Sequence, residues 1–230
     1  MATPRFPNPA FVAIDTPDLG RALALAKAVK PHVGGLKVGL EFLTAQGPDG
    51  IRAIAELGLP VFADTKFHDI PNTVAGAARE IAKLGVSIFN IHASGGEAML
   101  RAAREAAPHV KLIAVTVLTS LDERDLDAVG QKGPAADQVV RLASLAQRAG
   151  LDGVVCSAWE IAPLREALGP DFLLVVPGIR PAGSDLADQR RVMTPRDAAR
   201  AGADILVIGR PISAAADPAE AARAIAASLE

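Results

Sequence analysis

A chain of 230 residues suits one large domain, since α/β barrels of this length commonly stay undivided. A formal net charge of −2 and a pI near 6.1 exclude a global electrostatic pull toward nucleic acid or an anionic membrane, so any phosphate recognition must be local. The single cysteine, Cys156, excludes an internal disulfide and a cysteine-based metal site, which fits a reducing, cytoplasmic setting.

Residues 1–9 carry three prolines and no apolar core of the signal-peptide kind, and read as a loose leader before a domain at 10–230. No apolar run is long enough to cross a membrane. From residue 10 onward, short apolar runs alternate with helical patterns of Ala, Leu, Arg and Glu, eight times over. Strands are expected at Phe11 to Ile14, Gly35 to Val38, Pro60 to Ala63, Ser87 to Ile91, Lys111 to Val117, Gly153 to Cys156, Phe172 to Val176 and Asp204 to Ile208. Helices are expected near 19–30, 48–57, 73–84, 96–106, 135–149, 160–168, 195–201 and 217–229, several opened by caps such as Asp18, Thr194-Pro195 and Asp217-Pro218. Aromatics make up only 3% of the chain, so the core is expected to be aliphatic.

Near-continuous apolar strands joined by helices imply a parallel sheet buried on both faces. Eight β/α units predict a TIM (β/α)8 barrel in a single domain, with a doubly wound open sheet as the competing arrangement. The unusual polar residues favour the barrel, because they fall at strand carboxyl ends, where barrel chemistry gathers. Asp15 ends the first strand and Lys37 lies near the end of the second; Asp64 and Lys66 follow the third, His92 the fourth and Thr119 the fifth. Arg180 and Arg210 follow the seventh and eighth. The loop-rich segments 118–134 and 180–194 lie on this same face, and the second has the composition of a lid.

The stretch from Asp64 to Thr73, Asp-Thr-Lys-Phe-His-Asp-Ile-Pro-Asn-Thr, concentrates these charges. In extended backbone Asp64 and Lys66 project to one side, and Pro71 turns the chain into the next helix. An isolated D-x-K is commonly a surface ion pair of small energetic weight. Here Lys37 and Asp15 arrive from the two preceding strands to make an alternating array of cations and anions. A lysine between carboxylates keeps its proton, which suits a proton donor and not a Schiff base. A divalent metal on Asp15, Asp64 and Asp69 would compete with two lysines.

This sequence resembles the bacterial orotidine 5′-phosphate (OMP) decarboxylase family. The resemblance rests on Val12-Ala13-Ile14-Asp15, Leu36-Lys37-Val38-Gly39, the 64–73 string and Val176-Pro177-Gly178-Ile179-Arg180. Val115-Thr116-Val117-Leu118-Thr119-Ser120, Asp188-Gln189-Arg190-Arg191-Val192 and Ile208-Gly209-Arg210-Pro211-Ile212 extend it over residues 12–212. It implies a barrel that makes UMP from OMP without cofactor or metal, as a homodimer with its sites at the subunit interface. By position, Lys37, Asp64 and Lys66 match the family's charged network, with Lys66 the proton donor. Asp69 matches the aspartate contributed by the opposite subunit, and Ile70 and Thr73 cross with it. Asp15 matches the ribose-binding aspartate and Thr119 the hydroxyl on the pyrimidine. Arg180, Gln189, Gly209 and Arg210 match the phosphate group, Gln189 also bridging toward the base.

Two other readings compete. A sugar-phosphate decarboxylase of the 3-keto-L-gulonate 6-phosphate type shares the barrel and the D-x-K-x-x-D string but uses magnesium, and it usually places a carboxylate where Lys37 stands. A regulatory nucleotide-binding barrel would have no reason to keep both lysines and three aspartates. His92 is as readily structural as functional; Cys156 and Trp159 read as packing, Asp122-Glu123-Arg124-Asp125 as a solvated loop, and His68 as facing an interface or solvent.

Overall fold

The structure is a computed structural model that describes residues 6–131, 133–181 and 193–229. Eight parallel strands close into a barrel in sequence order: β1 Ala10–Ile14, β2 Gly35–Val38, β3 Val61–Phe67, β4 Ile88–His92, β5 Lys111–Val115, β6 Gly153–Val155, β7 Leu173–Val176 and β8 Ile205–Ile208, which pairs back to β1. The connecting helices are α1 Leu19–Val29, α2 Leu40–Ala55, α3 Pro71–Ile81, α4 Glu97–Ala106, α5 Glu123–Ala128, α6 Ala135–Arg148, α7 Ile161–Leu168, α8 Pro195–Ala201, α9 Arg210–Ser213 and α10 Pro218–Ser228. The closed order excludes the open sheet. No helix among the described residues is long and apolar enough to cross a membrane.

Alternation along each strand builds two cores. Outward side chains such as Val12, Leu36, Ala63 and Leu206 pack beneath the helices. Inward ones, including Phe11, Phe62, Ile113, Val175 and Ile205, fill the barrel. Gly35 makes room for this filling, because a Cβ there would lie 2.3 Å from Cε1 of Phe11. Phe6 stacks edge-on against Phe11 with centroids 5.3 Å apart, and the Asn8 side chain donates to the His32 carbonyl. The same inward stripes, followed toward the carboxyl ends, arrive at Asp15, Lys37, Asp64 and Gly209.

At the opposite end, two arginine clamps secure the strands. Asp152 Oδ2 accepts from Leu112 N of β5 and from Arg104 Nη1 at 2.7 Å. Two units later the pattern repeats: Asp204 Oδ2 accepts from Leu174 N of β7 and from Arg165 Nη2 at 2.5 Å. Arg165 also donates to the carbonyls of Phe172 and Gly202. Asp204→Ala would leave a strand N–H without its acceptor and a part-buried guanidinium without its counter-charge. A loss of about 3 kcal/mol is expected, read as a lower urea midpoint at constant slope; an unmoved midpoint would show the clamp to be ornamental.

Several boundaries differ from the sequence expectation for physical reasons. Helix α2 begins at Leu40, because its first half precedes a kink where Gly47 adopts φ 58° before Pro48; the expected start at 48 is the resumption after that break. The run at 122–125 is not a plain loop. Asp122 and Asp125 form a reciprocal capping box that starts α5, a helix of six residues and too short to show apolar periodicity. Trp159 is 63% exposed in a short turn after β6, contrary to the packing role expected of it. The difference that matters for the site is in β3, which runs to Phe67, four residues past its expected end.

Candidate active site

Strand β3 bulges against β4. Ala63 pairs with Phe89 and Phe67 with Ile91, so four steps on β3 face two on β4. Within the bulge Lys66 takes φ 51°, and among described non-glycine residues it alone has positive φ. Left-handed backbone at a lysine costs roughly 1–2 kcal/mol and persists only where surrounding contacts enforce it. Asn90, opposite the bulge, provides them: its side-chain oxygen accepts from Lys66 N at 2.7 Å and its carbonyl accepts from Thr65 Oγ1 at 2.6 Å. Asp64 and Lys66 are therefore neighbours, as alternation predicts, but on irregular backbone.

The charges form a chain across three strands. Lys37 Nζ lies 3.1 Å from Asp15 Oδ1 and 3.6 Å from Asp64 Oδ2, and Lys66 Nζ lies 2.5 Å from Asp64 Oδ1. Asn90 Nδ2 donates to the same Oδ1 at 2.7 Å. Burial pushes the Asp64 carboxyl up, but Lys37, Lys66 and the hydrogen bonds from Lys66 and Asn90 together outweigh it and hold the group below the ordinary carboxylate range. Asp64 is thus an anion at neutral pH, clamped between two ammonium groups. His92, its ring centroid 5.6 Å from that of His68, is pushed below the usual imidazole value by burial first and then by charge repulsion from His68 and Lys66, which together outweigh the opposing pull of Asp64.

Lys37, Asp64, Lys66 and Thr119 line one cavity of about 210 Å³, whose remaining wall is mostly apolar and includes Phe62, Val155, Val175 and Val207. The space suits a small planar ring with charge placed at one edge. Cys156 also lines it, but burial raises its thiol and so disfavours the thiolate that a nucleophile needs. Among the described residues no group of three or more His, Cys, Asp or Glu could hold a metal ion.

The other expected site residues fall at varying distances from this cluster. A Cβ on Gly209 would lie 4.0 Å from Asp15 Oδ2, so that loop borders the chain of charges. Arg210 opens α9 and is exposed, while Arg180 is 7% exposed, with its backbone N–H donating to the Met193 carbonyl. Asp69, Ile70 and Thr73 are exposed beyond β3, Ile70 at 67%. Asp69 accepts from Ile70 N at 2.6 Å, and no ion pair among the described residues joins it to Lys37 or Lys66. Gln189, and most of the expected lid, lie outside the described residues. Asn90 was absent from the expected set; the available signal was one amide within the apolar run Ile88-Phe89-Asn90-Ile91.

A closed parallel barrel, with charged side chains gathered at strand carboxyl ends above an apolar pocket, has the architecture of a barrel enzyme. Comparison with known proteins narrows the class. The chain belongs to the orotidine 5′-phosphate decarboxylase / HUMPS family, whose model matches residues 9–225. It is 55% identical to the orotidine 5′-phosphate decarboxylase of Paramagnetospirillum magneticum, covering 96% of this chain and 98% of the relative. For the Moorella thermoacetica orotidine 5′-phosphate decarboxylase the identity is 58%, over 96% of this chain and 91% of the relative. A crystal structure of orotidine 5′-phosphate decarboxylase from Lactobacillus acidophilus superposes with a TM-score of 0.86 at 37% identity, covering 97% of this chain and 99% of that one.

Proposed function

We propose that this chain decarboxylates OMP to UMP in de novo pyrimidine biosynthesis, in the cytoplasm and without cofactor or metal. The observation that carries the reading is the Asp15–Lys37–Asp64–Lys66 chain above an apolar cavity of ring size. Family membership and the names of relatives above 50% identity support the substrate.

Loss of carbon dioxide from C6 of the pyrimidine leaves an electron pair with little delocalisation, so the protein must supply the stabilising charge itself. Lys66 provides the ammonium beside C6 and delivers its proton there. Asp64 faces the departing carboxylate and fixes Lys66; Lys37 holds Asp64 ionised and ties it to Asp15, which takes the ribose hydroxyls. Thr119 contacts the base. Arg180, Gln189, Gly209 and Arg210 bind the phosphate, whose remote binding energy offsets the cost of closing a charged site. Asp69, Ile70 and Thr73 complete the site of the second subunit in a homodimer.

Mixing the purified protein with OMP tests this: the substrate's ultraviolet absorbance falls, at the same rate in excess EDTA. A persistent spectrum would sink the substrate, and a metal requirement would favour the magnesium-dependent sugar-phosphate branch.

Gly39 offers a finer check. A Cβ there would lie 2.9 Å from Lys37 Nζ and 3.0 Å from Asp15 Oδ1, so Gly39→Ala must push that pair apart. A drop of about tenfold or more in kcat/KM is expected, with the melting temperature little changed. Unaltered kinetics would show that the Lys37–Asp15 contact is dispensable.

A further inference from the structure

Taking the proposed decarboxylation as its premise, we propose that Asn90 is a positioning residue for the reaction: its side-chain amide locks the β3 bulge and aims the Asp64 carboxylate and Lys66 ammonium as one unit. Asn90 touches none of the reacting atoms in this scheme and acts through its two neighbours.

The amide is fully buried in the middle of β4, where an apolar residue would serve packing equally well. A buried amide is costly unless each end is satisfied, and here both ends are satisfied by the site itself. The chemistry fixes its orientation. Lys66 N–H can only donate, so the oxygen of Asn90 faces it; the Asp64 carboxylate can only accept, so the nitrogen faces that.

No other side chain fills both roles at this place and size. Leucine leaves the Lys66 N–H and one Asp64 lone pair unpaired. Aspartate keeps the acceptor for Lys66 but sets a second anion against Asp64. The Thr65 hydroxyl donates to the backbone carbonyl of Asn90, an acceptor that every substitution at 90 retains, so the side chain's contribution can be isolated. Through these two bonds Asn90 couples the unusual φ of Lys66 to the direction of the Asp64 carboxylate, and so sets where both charges stand relative to C6.

The decisive variant is Asn90→Asp, which preserves shape and the Lys66 acceptor; Asn90→Leu is its companion. In Asn90→Asp, kcat is expected to fall about 10²-fold, the scale of an ångström-level misplacement, while KM and UMP affinity change less than about threefold. The acid limb of kcat is also expected to move to higher pH. The new carboxylate opposes ionisation of Asp64, against Lys37 from β2 and Lys66 from β3, with Asp15 beyond Lys37 and His92 along β4. Carbon-13 NMR of the Asp64 carboxyl in the ligand-free protein reads the same upward shift independently of any substrate.

A normal kcat with an unmoved acid limb and an unmoved Asp64 midpoint would overturn the inference. So would a loss confined to melting temperature, which would make Asn90 a packing residue only. Failure of the decarboxylation reading is distinct: the parent protein would leave OMP unchanged, while the Asp64 midpoint still reports on Asn90.

Discussion

Lys66→Ala is expected to abolish turnover of OMP, a loss of at least about 10³-fold in kcat, while leaving UMP binding measurable. The asymmetry follows from where the charge sits. In the proposed mechanism UMP, which carries no C6 carboxylate and forms no carbanion, keeps the phosphate, ribose and base contacts assigned there to Arg180, Arg210, Asp15 and Thr119. The carbanion, in contrast, loses both its counter-charge and its proton source. Lys37 cannot take over, because it is 8% exposed and held between Asp15 and Asp64, with Asp64 lying between it and Lys66. Removing Lys66 also takes away one of the cations that hold Asp64 ionised, so the residual acid limb should move upward in pH. Stopped-assay absorbance for turnover and calorimetry for UMP check both halves. Turnover at the parent rate would reassign the proton donor.

What the sequence discloses about this site is governed by periodicity. The period of two along strands places residues 11, 13 and 15 on one inward stripe, and 35, 37 and 39 on another. That is enough to bring Asp15 and Lys37 to one mouth once the barrel is inferred. The spacing of Asp64 and Lys66 gives their adjacency as well. It does not give the route, because the bulge depends on the register between β3 and a strand about 25 residues further on, and register is decided by pairing rather than by local pattern. Asn90 is hidden for the same reason: its meaning lies in two partners that only the folded register supplies. The clamps are a milder case. Ala149-Gly150-Leu151-Asp152 and Ala201-Gly202-Ala203-Asp204 repeat one pattern just before β6 and β8, and the repeat is visible in the chain, but the arginines that answer it lie 48 and 39 residues away. Helix α5 escapes notice because a single buried residue, Leu126, gives no period to detect.

The second large effect concerns Asp69. It sits five residues beyond Asp64 yet shares no ion pair with the cluster of its own chain, since Pro71 turns the chain into α3 and leaves residues 69–73 exposed. An exposed aspartate followed by a 67% exposed isoleucine, at the rim of a charged mouth, is an arrangement suited to reaching another subunit. On that reading Asp69→Ala and Lys66→Ala each inactivate every site in their homodimers, for different reasons. Exchange of subunits between the two variants builds heterodimers with one wholly defective site and one of parental composition: Lys66 comes from the Asp69→Ala chain and Asp69 from the Lys66→Ala chain. Random exchange of equal amounts gives about half heterodimers, so activity returns to about a quarter of the parent level, as two-fold symmetry requires. Recovery that tracks heterodimer content by native mass spectrometry places Asp69 in the neighbour's site. A mixture that stays inactive despite complete exchange would confine each site to one chain and remove the need for a dimer in catalysis.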